Sequence, residues 1–126
     1  MKHENVVILG ASANAERYSN QALHLLQSYG HSTFPVNPGL DEINAQPCYR
    51  SLVAASAEAE GEVDTLTMYV NAKRSSQLAD QICAISPRRV IFNPGAENAE
   101  LAERLRKQGA EVLNACTLVM LRTDQF

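Results

Sequence analysis

The stretch with the most chemical potential is Gly10-Ala11-Ser12-Ala13-Asn14-Ala15, with Arg17 just beyond it. It follows an unbroken apolar run, Val6-Val7-Ile8-Leu9. A glycine at the end of such a run permits a sharp turn or lets a ligand come close to the backbone. The small residues after it leave backbone N–H groups uncovered. A helical pattern begins near Tyr18, so the first N–H groups of that helix point back at the turn. Strand, tight turn and helix N-terminus together form an anion site, typically for phosphate. Backbone donors of the turn are expected to carry most of the contact. Ser12 and Asn14 can add hydroxyl and amide donors, and Arg17 can fork onto phosphate oxygens. Each has a plainer alternative. Ser12 and Asn14 can be local turn caps, Arg17 a solvated surface arginine, and the whole an ordinary βα turn closed by glycine.

Known phosphate fingerprints do not decide between these readings. The turn lacks the G-x-G-x-x-G pattern of dinucleotide sites, and no acidic residue ends the second strand, where Val36-Asn37-Pro38 stands. NAD(P) is therefore weakly supported, and the glycine-lysine-serine ending of a Walker A loop is absent. Lys73 and Arg74 read as the charged, solvated first turn of a later helix. His3, His24 and His31 are scattered without ligand spacing, and no catalytic constellation or metal site emerges. Cys116 follows the last predicted strand and so falls near the same end of the sheet as the turn. A buried inert thiol is the default for such a cysteine. Cys48, Cys83 and Cys116 form an odd, widely spaced set without a CxxC pair, which points away from a disulfide framework or structural zinc.

These residues need a scaffold, and the sequence outlines one. Short apolar runs predict strands near residues 5–9, 31–36, 64–70, 89–93 and 111–113. Helical stripes separate them: Ala22, Leu23, Leu26 and Tyr29 in the first helix, with Ser19 as its cap and Gly30 as its stop. Ser51–Glu60 is a short helix. Leu78, Ile82 and Ile85 lie along one stripe of a helix ended by Pro87. Leu101, Ala102 and Leu105 mark another helix, capped by Asn98. Gln46–Tyr49 reads as a short edge strand, Met1–Glu4 as a polar lead, and Asn114–Phe126 as a mixed apolar tail folding back over the sheet. Helices alternating with buried strands predict an α/β fold, a doubly wound parallel sheet in a three-layer αβα sandwich. Ligands bind such sheets at the carboxyl ends of the strands. If the first and third long strands are neighbours, then Gly10–Asn14, Val70–Asn71 and Asn93-Pro94-Gly95 share one rim.

The 126 residues suit one domain spanning 1–126. A net charge of −3 argues against nucleic acid as the main partner but not against a locally held anionic nucleotide. No apolar run is long enough for a membrane span, and no apolar leader precedes Val6, so a cytoplasmic chain is expected.

Several segments together carry a family likeness: Val7 through Asn20, Val36-Asn37-Pro38, Leu66-Thr67-Met68-Tyr69-Val70-Asn71, Ile91-Phe92-Asn93-Pro94-Gly95 and Ala115-Cys116-Thr117-Leu118-Val119-Met120. In this order they resemble the small stand-alone CoA-binding domain proteins of bacteria, which are similar to the N-terminal CoA-binding domain of the succinyl-CoA synthetase alpha subunit. The resemblance spans nearly the whole chain and implies a Rossmann-like fold. It implies that Ser12, Ala13, Asn14 and Ala15 hold CoA after the first strand, and that Phe92, Asn93 and Pro94 line the other side. It places Val70 and Asn71 beside the nucleotide, and Asn114, Ala115 and Cys116 at the end of a family segment from which Asn114 and Ala115 depart. The synthetase's lysine shortly after Pro38 is missing here, where Gly39 and Leu40 stand, and stand-alone relatives carry lysine at Gln21 and proline at Ala15. Its phosphohistidine machinery lies in parts this chain lacks. The resemblance therefore implies binding of coenzyme A or an acyl-CoA without evident catalysis. The alternatives are a small NAD(P)-binding domain and a ligand-free protein-interaction module on the same fold. Tyr18, Tyr29, Leu40 and the tail from Thr117 to Phe126 offer more apolar surface than a small monomer needs, so a monomer or homodimer is expected.

Overall fold

The computed structural model describes residues 2–126, so the first residue of the predicted polar lead lies outside the described residues. The chain runs β1 (Asn5–Leu9), α1 (Tyr18–Ser28), β2 (Ser32–Val36), β3 (Glu42–Ile43), β4 (Gln46–Pro47), α2 (Leu52–Glu58) and β5 (Thr65–Met68). It continues through α3 (Ala72–Gln77), α4 (Ala79–Ala84), β6 (Arg89–Phe92), α5 (Ala99–Lys107), β7 (Glu111–Asn114) and α6 (Thr117–Arg122). Five strands form one parallel sheet in the order β2-β1-β5-β6-β7. This is the Rossmann-like, doubly wound arrangement, and its strand order reverses at β1.

Alternation along β1 builds both halves of the core. Val7 and Leu9 face a layer made by α2, α4 and α5, where Leu52, Ile82, Leu101 and Leu105 pack on Leu66, Val90 and Phe92. Val6 and Ile8 face the opposite layer, where α1 contributes Leu23 and Leu26 and α6 contributes Leu121. A strand buried on both faces needs apolar residues at every position, which is why β1 shows no polar alternation.

Four details differ from the sequence reading. The stripe Leu78, Ile82 and Ile85 belongs to two short helices, because the chain leaves helical geometry at Leu78. The predicted edge strand is split: Gln46–Pro47 forms a two-stranded hairpin, β4 with β3, while Tyr49 makes a parallel bridge to Val36 at the edge of the main sheet. The tail contains α6, whose Leu118, Met120 and Leu121 are buried. Glu4, placed in the polar lead, is buried: its carboxylate meets the Arg89 guanidinium at 3.1 Å and accepts a hydrogen bond from the Thr65 hydroxyl.

Candidate functional site

At the carboxyl end of β1 the chain turns through Gly10 with φ of +89°. The turn is tied to the neighbouring strand: the N–H groups of Gly10 and Ala11 both donate to the Val36 carbonyl, at 3.2 and 3.1 Å. Two amides from elsewhere hold its far side. Asn37 Nδ2 donates to the Ala11 carbonyl at 2.8 Å, and Asn20 Nδ2 donates to the Ser12 carbonyl at 2.8 Å. Asn20 is buried in the first turn of α1, so the loop and the helix are fixed to each other. Sequence reasoning did not select Asn20 or Asn37 as site residues. No local spacing marks an amide that works by reaching a distant carbonyl.

The rigid turn floors a cleft of about 620 Å³ lined by Gly10, Ala11, Ser12, Arg17, Asn37 and Tyr69, with Glu16, Tyr18 and Ser19 on its outer wall. Among the described residues, the N–H groups of Ser12 and Ala13 find no acceptor, and neither do those of Tyr18 and Ser19 at the start of α1. Unpaired N–H groups at a helix N-terminus favour an anion. Arg17, and not Ser19 as predicted, is the residue preceding the helix, and it makes no side-chain cap. Arg17 is exposed and lines the same cleft.

Ser12 and Asn14 already serve as caps. Ser12 Oγ accepts from the Asn14 N–H at 3.0 Å, and Asn14 Oδ1 accepts from the Glu16 N–H at 2.9 Å. What they have left to offer an anion is the Ser12 hydroxyl proton and the Asn14 amide hydrogens. The expectation that the whole turn supplies backbone donors is corrected at Gly10 and Ala11, whose N–H groups are committed to Val36. The free donors start at Ser12.

The remaining sequence-selected residues are spread along the same rim. Ala13, Asn14 and Ala15 are exposed beyond the cleft wall, with Ala15 on the outer side near Asn20 and Arg122. Val70 lines a second cleft that adjoins the first at Gly10. Asn71 caps α3 by accepting from the Arg74 N–H at 2.9 Å. Phe92 is fully buried in the core, so its ring faces neither cleft. Pro94 and Gly95 are exposed one strand further along, and the Gly95 N–H donates to Glu97.

Asn93 is buried and works as a staple. Its Nδ2 donates to Thr67 Oγ1 at 2.7 Å and to the Met68 carbonyl at 3.0 Å, and its Oδ1 accepts from the Thr117 N–H at 2.8 Å. The Thr67 and Thr117 hydroxyls are 2.8 Å apart. Tyr69 lies against this network. Its hydroxyl is buried without a well-formed hydrogen bond among the described residues, because the two threonine hydroxyls are engaged with each other and with Asn93. Burial pushes the phenol up to about 12, against the weaker opposing pull of those hydroxyls. Cys116 immediately precedes α6 and lines neither cleft.

Together these features define a class: a Rossmann-like α/β domain with a donor-lined cleft at the switch in strand order. The CoA binding domain family matches residues 4–122, and the chain belongs to that family. The chain is similar to solved structures throughout its length. One described as an uncharacterized protein shares 34% identity and a TM-score of 0.87, with full coverage of both chains. A conserved hypothetical protein from Pyrococcus furiosus shares 33% identity and a TM-score of 0.77, covering 92% of this chain and 97% of that one. At the level of fold, the chain is similar to part of the dinucleotide-forming acetyl-coenzyme A synthetase 1 of Ca. Korarchaeum cryptofilum, at 23% identity and a TM-score of 0.66. That match covers 89% of this chain and 25% of the synthetase. No curated protein matches the sequence. Among the described residues no helix is long and apolar enough to cross a membrane.

Proposed function

We propose that this protein binds coenzyme A or an acyl-CoA, with the diphosphate over Ser12 and against the first turn of α1. The observation that carries the reading is the coincidence of the family match over residues 4–122 with a cleft whose free N–H groups lie at the strand-order switch. A polyanionic ligand suits this place because unpaired helix N-terminal donors open onto it and the cationic Arg17 lines it, whatever the net charge of the chain. Ser12 and Asn14 add the donors that their capping roles leave over.

The protein acts as a binding module without its own catalysis. Tyr69, the phenol in the cleft wall, holds its proton far above neutral pH and so does not serve as a base there. Calorimetric titration of CoA, dephospho-CoA, NAD and ATP into ligand-free protein tests the reading. CoA is expected to bind tightest, and binding to weaken with rising salt because part of it is attraction between exposed charges. Tighter binding of NAD would move the assignment to a dinucleotide, and no binding by any of the four would leave an interaction module.

A further inference from the structure

The first cleft does not end at Gly10. On the other side of that glycine lies a more enclosed concavity of about 380 Å³, and Gly10 and Asn37 line both. This volume falls within the range of small-molecule sites, about 300–1,000 Å³. Its walls are largely apolar, with Val36, Leu52, Val70 and Leu78 beside the polar Ser51 and Gln81, and two arginines, Arg50 and Arg74, stand in its lining. They come from different elements, the loop before α2 and the first turn of α3.

Both guanidinium groups have capacity to spare. The side chain of Arg74 donates to the neutral amide of Gln77 at 3.1 Å, and it pairs with no carboxylate among the described residues. Arg50 donates through Nε to Asp41 at 2.8 Å and through one terminal nitrogen to the Pro38 carbonyl at 3.4 Å. That anchoring leaves its other terminal nitrogen open. A largely apolar slot lined by Arg74, which has no carboxylate partner among the described residues, and by Arg50, which keeps one terminal nitrogen open beside its ion pair with Asp41, fits a flat heteroaromatic base that carries a separate phosphate monoester. It is a poorer match for a neutral sugar, which leaves the Arg74 charge unanswered.

We infer that Arg50 and Arg74 are specificity residues for the ribose phosphate of the ligand. They select a 3′-phosphorylated adenine nucleotide over the same molecule without that phosphate. The inference rests on the CoA reading, and it assigns the base to the second cleft and the diphosphate to the first, with the ligand crossing Gly10. No lysine follows Pro38, and the charge comes from two other positions.

The test titrates CoA and dephospho-CoA into the wild type, Arg50→Ala, Arg74→Ala and the double variant. Both arginines are exposed, so the variants keep the fold, which circular dichroism verifies. The wild type is expected to prefer CoA by about tenfold or more, the scale of one charge-assisted contact. Each single variant lowers affinity for CoA and leaves that for dephospho-CoA nearly unchanged, and the double variant brings the ratio close to one. Arg17→Ala lowers both ligands alike, because it addresses the shared diphosphate. Equal affinity of the wild type for the two ligands, or a ratio that survives in the double variant, overturns the assignment of Arg50 and Arg74 and leaves the CoA reading standing. Failure of both ligands to bind the wild type overturns both.

Discussion

Gly10 is where the two clefts meet, and replacing it tests how that junction is built. A Cβ placed there lies 3.0 Å from Val70 Cγ1, 3.1 Å from the Tyr69 carbonyl carbon and 3.2 Å from its oxygen. Two of these three neighbours are backbone atoms leaving β5, so they yield only if the crossover into α3 moves. Gly30, which follows α1, supplies the control. Its φ is +87°, nearly that of Gly10, yet a Cβ there meets nothing within 4 Å. Gly30→Ala therefore costs the left-handed backbone term alone, roughly 1–2 kcal/mol. Gly10→Ala carries the same term plus a crowding term of roughly 1–3 kcal/mol, about 2–5 kcal/mol in all. Urea unfolding followed by circular dichroism measures both. With a slope of about 2 kcal/mol/M, a 2 kcal/mol difference separates the two midpoints by about 1 M. Gly10→Ala should also weaken CoA binding, whereas Gly30→Ala should not, since Gly30 lies at the far end of α1 from the cleft. If the two alanine variants unfold at the same urea concentration, the close approach of Val70 and Tyr69 is not what requires glycine, and the account of the junction fails.

Other regions give independent tests. Glu4→Ala leaves the Arg89 guanidinium buried without its carboxylate, and the expected loss is about 3–5 kcal/mol, seen as a drop in thermal midpoint; a loss below about 1 kcal/mol would show that the pair contributes little. His31 is buried, accepts from the Glu4 N–H at 3.1 Å and has its pKa lowered below 6.5, first by burial. Glu4 opposes that shift, and His3 and Arg89 add to it. The unfolded chain therefore takes up this proton more readily than the folded one, so the contribution is full above pH 6.5 and declines as pH falls below it. His31→Gln should flatten the dependence of the thermal midpoint on pH across that window, and an unchanged slope would remove His31 as its source. Burial raises the thiols of Cys48 and Cys83, whereas Cys116 is partly exposed, so an aromatic disulfide reagent should label about one cysteine quickly in the native protein, at Cys116. Fast labelling of Cys83 would contradict the packing of α4. Truncation after Ala115 removes buried Leu118, Met120 and Leu121 together with the Thr117 contact to Asn93, and it should lower the thermal midpoint by more than about 5 °C, on the scale of about 3–5 °C per kcal/mol.

The main sheet was legible because its signal is local. Val6-Val7-Ile8-Leu9 is buried on both faces, and a short unbroken apolar run that stops at a glycine is too short for a buried helix and suits a central strand. The β3–β4 hairpin was hidden for an equally local reason. Its turn puts Asn44 and Ala45 at φ of +52° and +64°, a conformation that usually calls for glycine, and the sequence has alanine there. The break at Leu78 left no trace, because Leu78, Ile82 and Ile85 all pack on one core layer, as they would from a single helix. Glu4 looked like part of a polar lead because its partner, Arg89, lies in another strand, and nothing near Glu4 announces the pairing.

The site divides along the same line. The place of the turn could be read from Gly10 and the small residues after it, but the assignment of donors could not. A reading by residue type gives Ser12 and Asn14 to the ligand, whereas the fold uses their oxygens to close the loop and uses the N–H groups of Gly10 and Ala11 to join β2. The groups that remain available are the ones a sequence does not distinguish: the N–H groups of Ser12, Ala13, Tyr18 and Ser19, aligned because Asn20 and Asn37 hold the loop carbonyls from two sides. It follows that Asn20, which lines neither cleft, bears on binding without touching the ligand, while Asn37 holds the Ala11 carbonyl from within the lining of both. Asn20→Leu fills the same space but releases the Ser12 carbonyl. It should therefore weaken CoA binding through a loosened loop, while Arg17→Ala weakens it through lost charge. Raising the salt concentration separates the two, since the wild type and Asn20→Leu keep the same salt dependence and Arg17→Ala shows a shallower one. A shallower dependence in Asn20→Leu would mean that the loop geometry and the charged contacts are not separable, and that the buried amide is not the loop's anchor alone.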